Sequence, residues 1–466
     1  MPQKTYPPIA VIGLDCAPPE LVFDAWIEDL PNLQALTRRG LYGKLESTIP
    51  PITVPAWMCM MTSRDPGTLG IYGFRNRKDH SYTGLGFASS LMVKEPTVYD
   101  LLGEEGARVI TLGVPLTWPP KPVNGLMVSG FPIPPDAAFT NPPELQAELD
   151  AAVGGYIPDV KEFRTKDKDG LLDQLSTMTR RRFAAARHLV TRHQWDFFMM
   201  VEMATDRLHH AFWSDMDPAH PKHVPANPRE RVIHDYYVTL DAEIGSLLAV
   251  LPEETLVAVV SDHGAKKMDG GICFNEWLIQ EGYLTLKSRP PSPVRIGQAE
   301  IDWSRTIAWG DGGYYGRCFI NVKGREPEGT VEPADYEAVR NDLARKLEAL
   351  TDEAGRPIGT RVFRPESVYE RCNNIPPDLI VYFGDLNWRS VGTVGTGRIW
   401  THENDTGPDD ANHSQHGLYV LAPPAGRAPR TARDDTARIY DIAPTLLSYA
   451  GAPVPRAMLG RNLLSP

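Results

Sequence analysis

Short apolar runs recur along the chain, each stopped by an acidic residue, a glycine or a proline. They are IAVIGLD (9–15), ARVITLGVP (107–115), DFFMMVEMATD (196–206), TLVAVVSDHG (255–264), DLIVYFGD (378–385) and GLYVLAPP (417–424). Continuous apolarity rich in β-branched and aromatic residues predicts strands buried on both faces, the habit of a parallel sheet. Between these runs lie segments with helical spacing: NLQALTRRG (32–40), TVYDLLGEEG (97–106) and LDQLSTMTRRRFAAARHLVTRH (172–193). Strand alternating with helix predicts an α/β fold whose mostly parallel central sheet is covered on both faces. Ligands of such sheets sit beyond the carboxyl ends of the strands. The Pro-rich pieces FPIPPD (131–136) and SRPPSPVRIG (288–297) read as loops or links to insertions rather than domain breaks.

Composition narrows the partners. A chain of 466 residues with 42% hydrophobic and 23% charged residues buries a large core as an ordinary globular protein. Its 48 basic against 59 acidic residues give a net charge of −11, which argues against a nucleic-acid polymer as partner, although a small anion can still be drawn to buried metal ions. Five cysteines, Cys16, Cys59, Cys273, Cys318 and Cys372, follow no paired spacing and suit a reducing compartment. The start, MPQKTYPPIAVIGLD, lacks a signal-type apolar region, and no run reaches membrane-spanning length. The expectation is a cytoplasmic protein with no membrane partner.

Acids and histidines gather at the predicted strand ends. Asp15 closes the first run, Asp206 closes the third, Asp262 and His263 close TLVAVVS, and His413 shortly precedes GLYVL. In TDRLHHAFW, Asp206 and His210 stand four apart, so a helical turn there puts both on one face. In SDHG, Gly264 frees the backbone where the chain must turn. Each feature alone is a turn former or a surface charge. Together they make six oxygen and nitrogen ligands, enough for two divalent cations with three protein ligands apiece.

The stretch PPITVPAW (50–57) adds a nucleophile. A helix opening just after Thr53 tolerates Pro55 in its first turn and directs unpaired N–H groups and a positive dipole end toward the ligand edge, where an anion binds. A Thr53 hydroxyl touching one of the cations loses its proton at neutral pH without a histidine base. In isolation, Thr53 would read simply as an N-cap.

These residues carry a resemblance to the alkaline phosphatase superfamily, within it the type I phosphodiesterase/nucleotide pyrophosphatase family, nearly end to end. VIGLDCAPPELV resembles the family's first ligand strand, PPITVPAWMCMMTSRDPGTLGIYGF its nucleophile segment, and TDRLHHAFW and SDHG its central ligand motifs. FNEWLIQEGYL, GRCFINVKGREPEGTV and IYDIAPTLLSYAGAPVPRAMLGRNL resemble recurring segments of its bacterial members. The resemblance implies an alkaline-phosphatase-like three-layer sandwich forming one catalytic domain over 1–466, with 131–190 and 284–370 as inserted segments that form a cap or pocket wall. It implies that Asp15, Asp262 and His263 hold the ion that binds Thr53, while Asp206, His210 and His413 hold the other. His416, in the same ANHSQHGLYVL stretch, is the alternative last ligand, and His209 is a supporting or surface residue. The ions implied are zinc, with manganese as the alternative. Two departures bear on substrate: Leu69-Gly70-Ile71 stands where members commonly read His-Gly-Ile, and Phe74 falls in register with the asparagine of nucleotide-cleaving members, with Asn76 nearby.

The implied reaction is hydrolysis of a small-molecule phosphate ester. Thr53 attacks phosphorus in line, a phospho-threonine forms, and water then releases it, with the Val54 amide available to a nonbridging oxygen. A phosphodiesterase is the first reading; a phosphomonoesterase or phosphomutase on the same core, and a noncatalytic metal-binding relative, are the alternatives. A sulfatase is disfavoured because the required Cys/Ser-x-Pro-x-Arg frame reads TVPAW here. Trp303, Trp309, Tyr314 and Tyr315 are candidates either for stacking on the organic part of the substrate or for packing.

Overall fold

The computed structural model describes residues 6–427 and 431–465. The run Ile9–Leu14 lies at the centre of the main sheet, parallel to Phe197–Glu202 on one side and Leu256–Val260 on the other. Val109–Val114 and Gly125–Ser129 continue the sheet in parallel beyond Phe197–Glu202. Beyond Leu256–Val260 the direction reverses: His416–Ala422 pairs antiparallel with it, and Leu41–Glu46 antiparallel with His416–Ala422. Every residue of Ile9–Leu14, Val109–Val114 and Phe197–Glu202 is buried, so both faces of the sheet are covered.

The covering helices form two packed groups. Leu145–Val153, Lys168–Arg192, Ala204–Met216, Val232–Leu248 and Pro31–Thr37 make one; Thr53–Thr62, Val98–Glu104 and Ile442–Tyr449 make the other. Their starts have local causes. Thr97 and Asp100 form a reciprocal capping box at Val98–Glu104, and the Asp167 carboxylate accepts from the Gly170 N–H at 3.0 Å to open the long helix.

One expectation needs correcting, and one strand of the main sheet has a pattern the apolar runs do not show. The run 378–385 contributes Leu379–Tyr382 not to the main sheet but to a separate antiparallel sheet, ordered Ala308–Asp311, Gly316–Ile320, Leu379–Tyr382, Arg361–Phe363. Burial on both faces produces the same continuous apolarity in either sheet, so the run alone does not say which it joins. The strand Leu41–Glu46, which alternates buried Leu41, Gly43 and Leu45 with more exposed Tyr42, Lys44 and Glu46, has the period of a one-sided strand instead.

Residues 131–190 supply Leu145–Val153 and most of Lys168–Arg192; residues 284–370 supply three strands of the separate sheet and the helix Tyr336–Glu348. That second unit has its own core, with Trp309, Phe319 and Leu343 against Phe274 and Phe383. Among the described residues no helix is long and apolar enough to cross a membrane.

One close approach ties fold to site. Helix Thr53–Thr62 lies so near the central strand that a Cβ on Gly13 would stand 2.5 Å from the Trp57 ring and 2.8 Å from Val201. This seats Trp57, fully buried, where its indole N–H donates to the Asp15 carboxylate at 2.7 Å. Gly13→Ala should therefore displace Trp57, lower stability by about 1–3 kcal/mol, and weaken metal binding through Asp15. Denaturant unfolding and calorimetric metal titration of the variant check both effects; unchanged metal affinity would show that the Trp57 contact does not position Asp15.

Candidate metal centre

The chain converges on the carboxyl edge of the sheet. Asp15 follows the central strand, and Asp262 and His263 follow Leu256–Val260. Asp206 and His210 lie on Ala204–Met216, which starts one residue after Met203 at the end of the neighbouring strand. That helix is placed by two bonds: the Glu202 carboxylate accepts from the Ala204 N–H at 2.9 Å, and the Thr205 hydroxyl donates to the Asp15 carbonyl at 2.6 Å. His413 lies on Ala411–Ser414, a short strand antiparallel to Gly264–Lys267, just before the chain enters its reversed strand of the main sheet. Because that strand runs antiparallel, its beginning lies at the same edge as the ends of the others.

All six side chains are buried. The ligand atoms of Asp15, Asp206 and His263 lie within 4.8 Å of one another, as do those of Asp206, His210 and His413. The Nε2 atoms of His210 and His413 are 3.3 Å apart, and His263 Nε2 is 3.2 Å from Asp262 Oδ2 and 3.9 Å from Asp15 Oδ1. His416 falls outside this cluster: half-buried, it sits opposite Glu46 in the sheet ladder. His209 points to the other side of its helix, against the Tyr237 hydroxyl at 3.3 Å.

The hydrogen bonds around the cluster fix where its lone pairs face. The Nδ1 atoms of His413, His263 and His210 approach the carbonyl oxygens of Pro51 (2.8 Å), Gly264 (3.1 Å) and Ala411 (3.1 Å), and His210 Nδ1 also approaches Asp409 Oδ1 at 2.7 Å. Carbonyl oxygens only accept, so Nδ1 carries a proton in each ring and Nε2 is the atom turned inward, a lone-pair donor whenever the ring is neutral. Each carboxylate likewise has one oxygen engaged by a donor: Asp15 by Trp57, Asp206 by Arg207 at 2.7 Å, Asp262 by the Cys16 N–H at 3.2 Å. The other oxygens, Asp15 Oδ1, Asp206 Oδ1 and Asp262 Oδ2, are buried without a hydrogen-bond partner. Lone pair facing lone pair in a buried space is stable only around cations, and the mixed carboxylate–imidazole donor set fits zinc or manganese.

Thr53 stands beside this array. It is the first residue of Thr53–Thr62, its hydroxyl caps no backbone N–H of that helix, and Oγ1 lies 3.3 Å from His263 Nε2. The helix's first backbone bond runs from Ala56 N–H to the Ile52 carbonyl, so the Val54 N–H precedes the ladder at the same edge.

Protonation follows burial and neighbours. Burial and the Asp206 charge hold the Asp15 carboxyl well above its ordinary range; burial and Asp15 do the same to Asp262. Burial also works to raise Asp206, but His210 and Arg207 outweigh it and hold it well below. Burial pulls His263 down to about 4 and His413 well below its usual value. Against the pull of burial, Asp409, Tyr314 and Asp206 push His210 up.

Several contributors were not singled out in the sequence. Asp409 receives His210 and is itself held by Arg164 at 3.0 Å and Arg389 at 2.8 Å. Cys16, in left-handed backbone conformation with φ 63°, brings its thiol into the group of Asp206, His210 and His413. Asp409 had a usable signal, its place in DDANH just before His413; Cys16 had only adjacency to Asp15. Of the four aromatics, Tyr314 stacks on His413 with ring centroids 3.9 Å apart, whereas Trp303 stacks on Tyr82, Trp309 on Phe319, and the Tyr315 hydroxyl binds the Tyr72 carbonyl.

Residues 9–417 match the family model of type I phosphodiesterase / nucleotide pyrophosphatase. The chain belongs to that family. As a member of this phosphoester hydrolase group it is similar in fold to human ectonucleotide pyrophosphatase / phosphodiesterase 5, at 11% identity and TM-score 0.57 over 96% of each chain. It is likewise similar to phosphonoacetate hydrolase from Sinorhizobium meliloti 1021 bound to phosphonoacetate, at 16% identity and TM-score 0.58 over 96% of this chain and 97% of that one. The murine phosphodiesterase 5, solved as an inactive variant with AMP, gives 12% identity and TM-score 0.52 over 97% and 96%. No curated protein sequence matches this family member.

Two outcomes are expected of this centre. Burial and like charge hold Asp15 and Asp262 above their ordinary values and acidic neighbours push His210 up, so protons compete with a metal for these three groups. Zinc titrations in buffers of different ionisation enthalpy should then report net proton release, with affinity falling as the pH drops; a buffer-independent heat would contradict it. Asp409→Asn removes the negative charge behind His210 and should weaken metal binding by about 10–100-fold, measured by competition with a chromophoric chelator.

Proposed function

We propose that this chain is a two-metal hydrolase of phosphate esters, acting first on diesters, with Thr53 as nucleophile. The observation that carries the reading is the convergence of three partnerless carboxylate oxygens and three inward imidazole nitrogens beside the uncapped hydroxyl of Thr53. In this reading Asp15, Asp262 and His263 hold one ion with Thr53, and Asp206, His210 and His413 hold the other. Zinc or manganese bound there would lower the pKa of the threonine hydroxyl and offset charge on the phosphoryl and leaving oxygens.

The chain's own groups do the rest. Trp57, Arg207 and the Cys16 amide hold the carboxylates in orientation, and the three Nδ1–H contacts fix the rings. The Thr53 oxygen forms a bond to phosphorus as the ester oxygen leaves on the opposite side with its alcohol. Water then breaks the Thr53–phosphorus bond and restores the hydroxyl. The Val54 N–H, at the positive end of the helix, donates to a nonbridging oxygen.

Charge favours a diester. The basic side chains about the ligand shell are already committed: Arg207 to Asp206 and Asp159, Arg164 and Arg389 to Asp409, Lys168 to Asp215 and Asp410. A monoester dianion needs more neutralising charge than a diester monoanion, and these cations have little left to offer. Asn76 does not supply the nucleotide contact that its position suggests. Its side chain accepts from the Tyr72 N–H at 2.7 Å and donates to the Gly73 carbonyl at 2.9 Å, closing a turn. Phe74 packs on Phe131 with centroids 5.7 Å apart. In this reading the organic group of the ester meets an aromatic wall that includes Phe163 and Tyr314, joined by Arg164 and drawn from the segments 131–190 and 284–370.

With zinc or manganese supplied, kcat/KM for bis-p-nitrophenyl phosphate should exceed that for p-nitrophenyl phosphate by about tenfold or more, a difference of about 1.4 kcal/mol in activation free energy. A reversed preference would replace the diester reading with a monoesterase. Thr53→Ala should lose about a thousandfold or more in turnover while still binding both metal equivalents, and acid quenching of the parent should leave a phosphorylated peptide containing Thr53. An active alanine variant would remove the covalent route.

A further inference from the structure

A second group of metal-type ligands stands apart from the centre described above. Glu148 lies on helix Leu145–Val153, His188 near the end of helix Lys168–Arg192, and His193 is the first residue beyond that end. In an unbroken helix, residues five apart point to different faces. Here the backbone of His193 has left the helix for an extended conformation, φ −114° and ψ 150°, and its ring swings back beside that of His188. Both Nε2 atoms lie 2.7 Å from the same oxygen, Glu148 Oε1, and the three ligand atoms are mutually within 4.8 Å.

The chemistry suits a cation better than an ion pair. A carboxylate is satisfied by one imidazolium, and two imidazoliums side by side would repel. Two neutral rings aiming Nε2 at one oxygen can carry their protons on Nδ1 and turn both lone pairs inward. Tetrahedral zinc at about 2.0 Å from its ligands keeps donors about 3.3 Å apart, so seating the ion asks each ring to retreat by roughly half an ångström. The side chains are 25%, 32% and 37% exposed for His188, His193 and Glu148, which leaves access for the ion and for a water as fourth ligand.

We propose that Glu148, His188 and His193 form a separate zinc site that staples helix Leu145–Val153 to the end of helix Lys168–Arg192. His193 precedes the strand Phe197–Glu202, whereas Asp206 follows it, so the two centres occupy opposite edges of the sheet, about 20 Å apart at about 3.3 Å per strand residue. The site is structural: it holds no group near Thr53.

Equilibrium dialysis of the purified protein against micromolar free zinc, with zinc counted by mass spectrometry, tests it. His193→Ala and Glu148→Gln should each bind one zinc equivalent fewer than the parent while hydrolysing bis-p-nitrophenyl phosphate at the parent rate. Glu148→Gln keeps size and shape, so it decides the matter if the histidine variant fails to fold. An unchanged zinc count in either folded variant overturns the proposal, whatever the outcome for the catalytic centre, because that centre's ions are counted in parent and variant alike.

Discussion

The structure is organised around a buried electrostatic conflict. Three carboxylates and three imidazoles present lone pairs to one another at 3.2–3.9 Å, with no protein donor between them. Two carboxylate charges about 5 Å apart in surroundings of effective dielectric about 20 repel by roughly 3 kcal/mol, before the loss of hydration is counted. No chain holds such a cluster for stability's sake. It persists because the framework around it is rigid enough to impose it, and in the proposed reading the cations that would resolve the conflict are the ones that would make the hydroxyl beside them reactive.

That rigidity comes from where the ligands are attached. Three sit just beyond the ends of adjacent, fully buried strands, where the ladder fixes the backbone; two sit on a strand-following helix and one on a short ribbon, both tied to the same edge. The close contact at Gly13 lets Trp57 hold Asp15, and the Thr205 hydroxyl bonded to the Asp15 carbonyl locks the helix bearing Asp206 to the same point. The centre is thus rigid because its supports are shared: moving one ligand disturbs the anchor of another.

What the sequence revealed follows the same logic. The strands that carry ligands were legible because burial on both faces writes a continuous apolar run and a ligand must follow at its end. Leu41–Glu46, alternating, and Gly125–Ser129, short and opened by an exposed glycine, do not write that signature. The run at 378–385 was legible as a strand but not as a member of a particular sheet, since partners many residues away decide that. Asp409 and Cys16 were invisible as contributors for a different reason. Their roles depend on the fold bringing His210 against Asp409, 199 residues away, and the ligand set against the Cys16 thiol. The place of Asp409 in DDANH hints at nearness to His413, but no local pattern records its meeting with His210 or that of the Cys16 thiol with the cluster. The alternatives His413 and His416 stand three residues apart on consecutive strands; only the pairing of Ala411–Ser414 with Gly264–Lys267 separates a ring in the cluster from one opposite Glu46.

The same division between edge and wall explains how the fold tolerates so much change. Solved structures only 11–16% identical to this chain keep its architecture over nearly their whole length. A centre built on strand ends depends on burial and ladder pairing, which many apolar sequences satisfy. The groups proposed to meet the organic part of a substrate lie elsewhere: Phe163 and Arg164 precede the long helix, and Tyr314 reaches the cluster from the turn between two strands of the separate antiparallel sheet. Tyr314 joins the two parts, since its ring stacks on His413 while its hydroxyl accepts from Arg164. A change in the wall therefore reaches the centre by two routes, through the Tyr314 ring on His413 and through Arg164 and Asp409 to His210, while the backbone of the ligand residues stays where the sheet puts it.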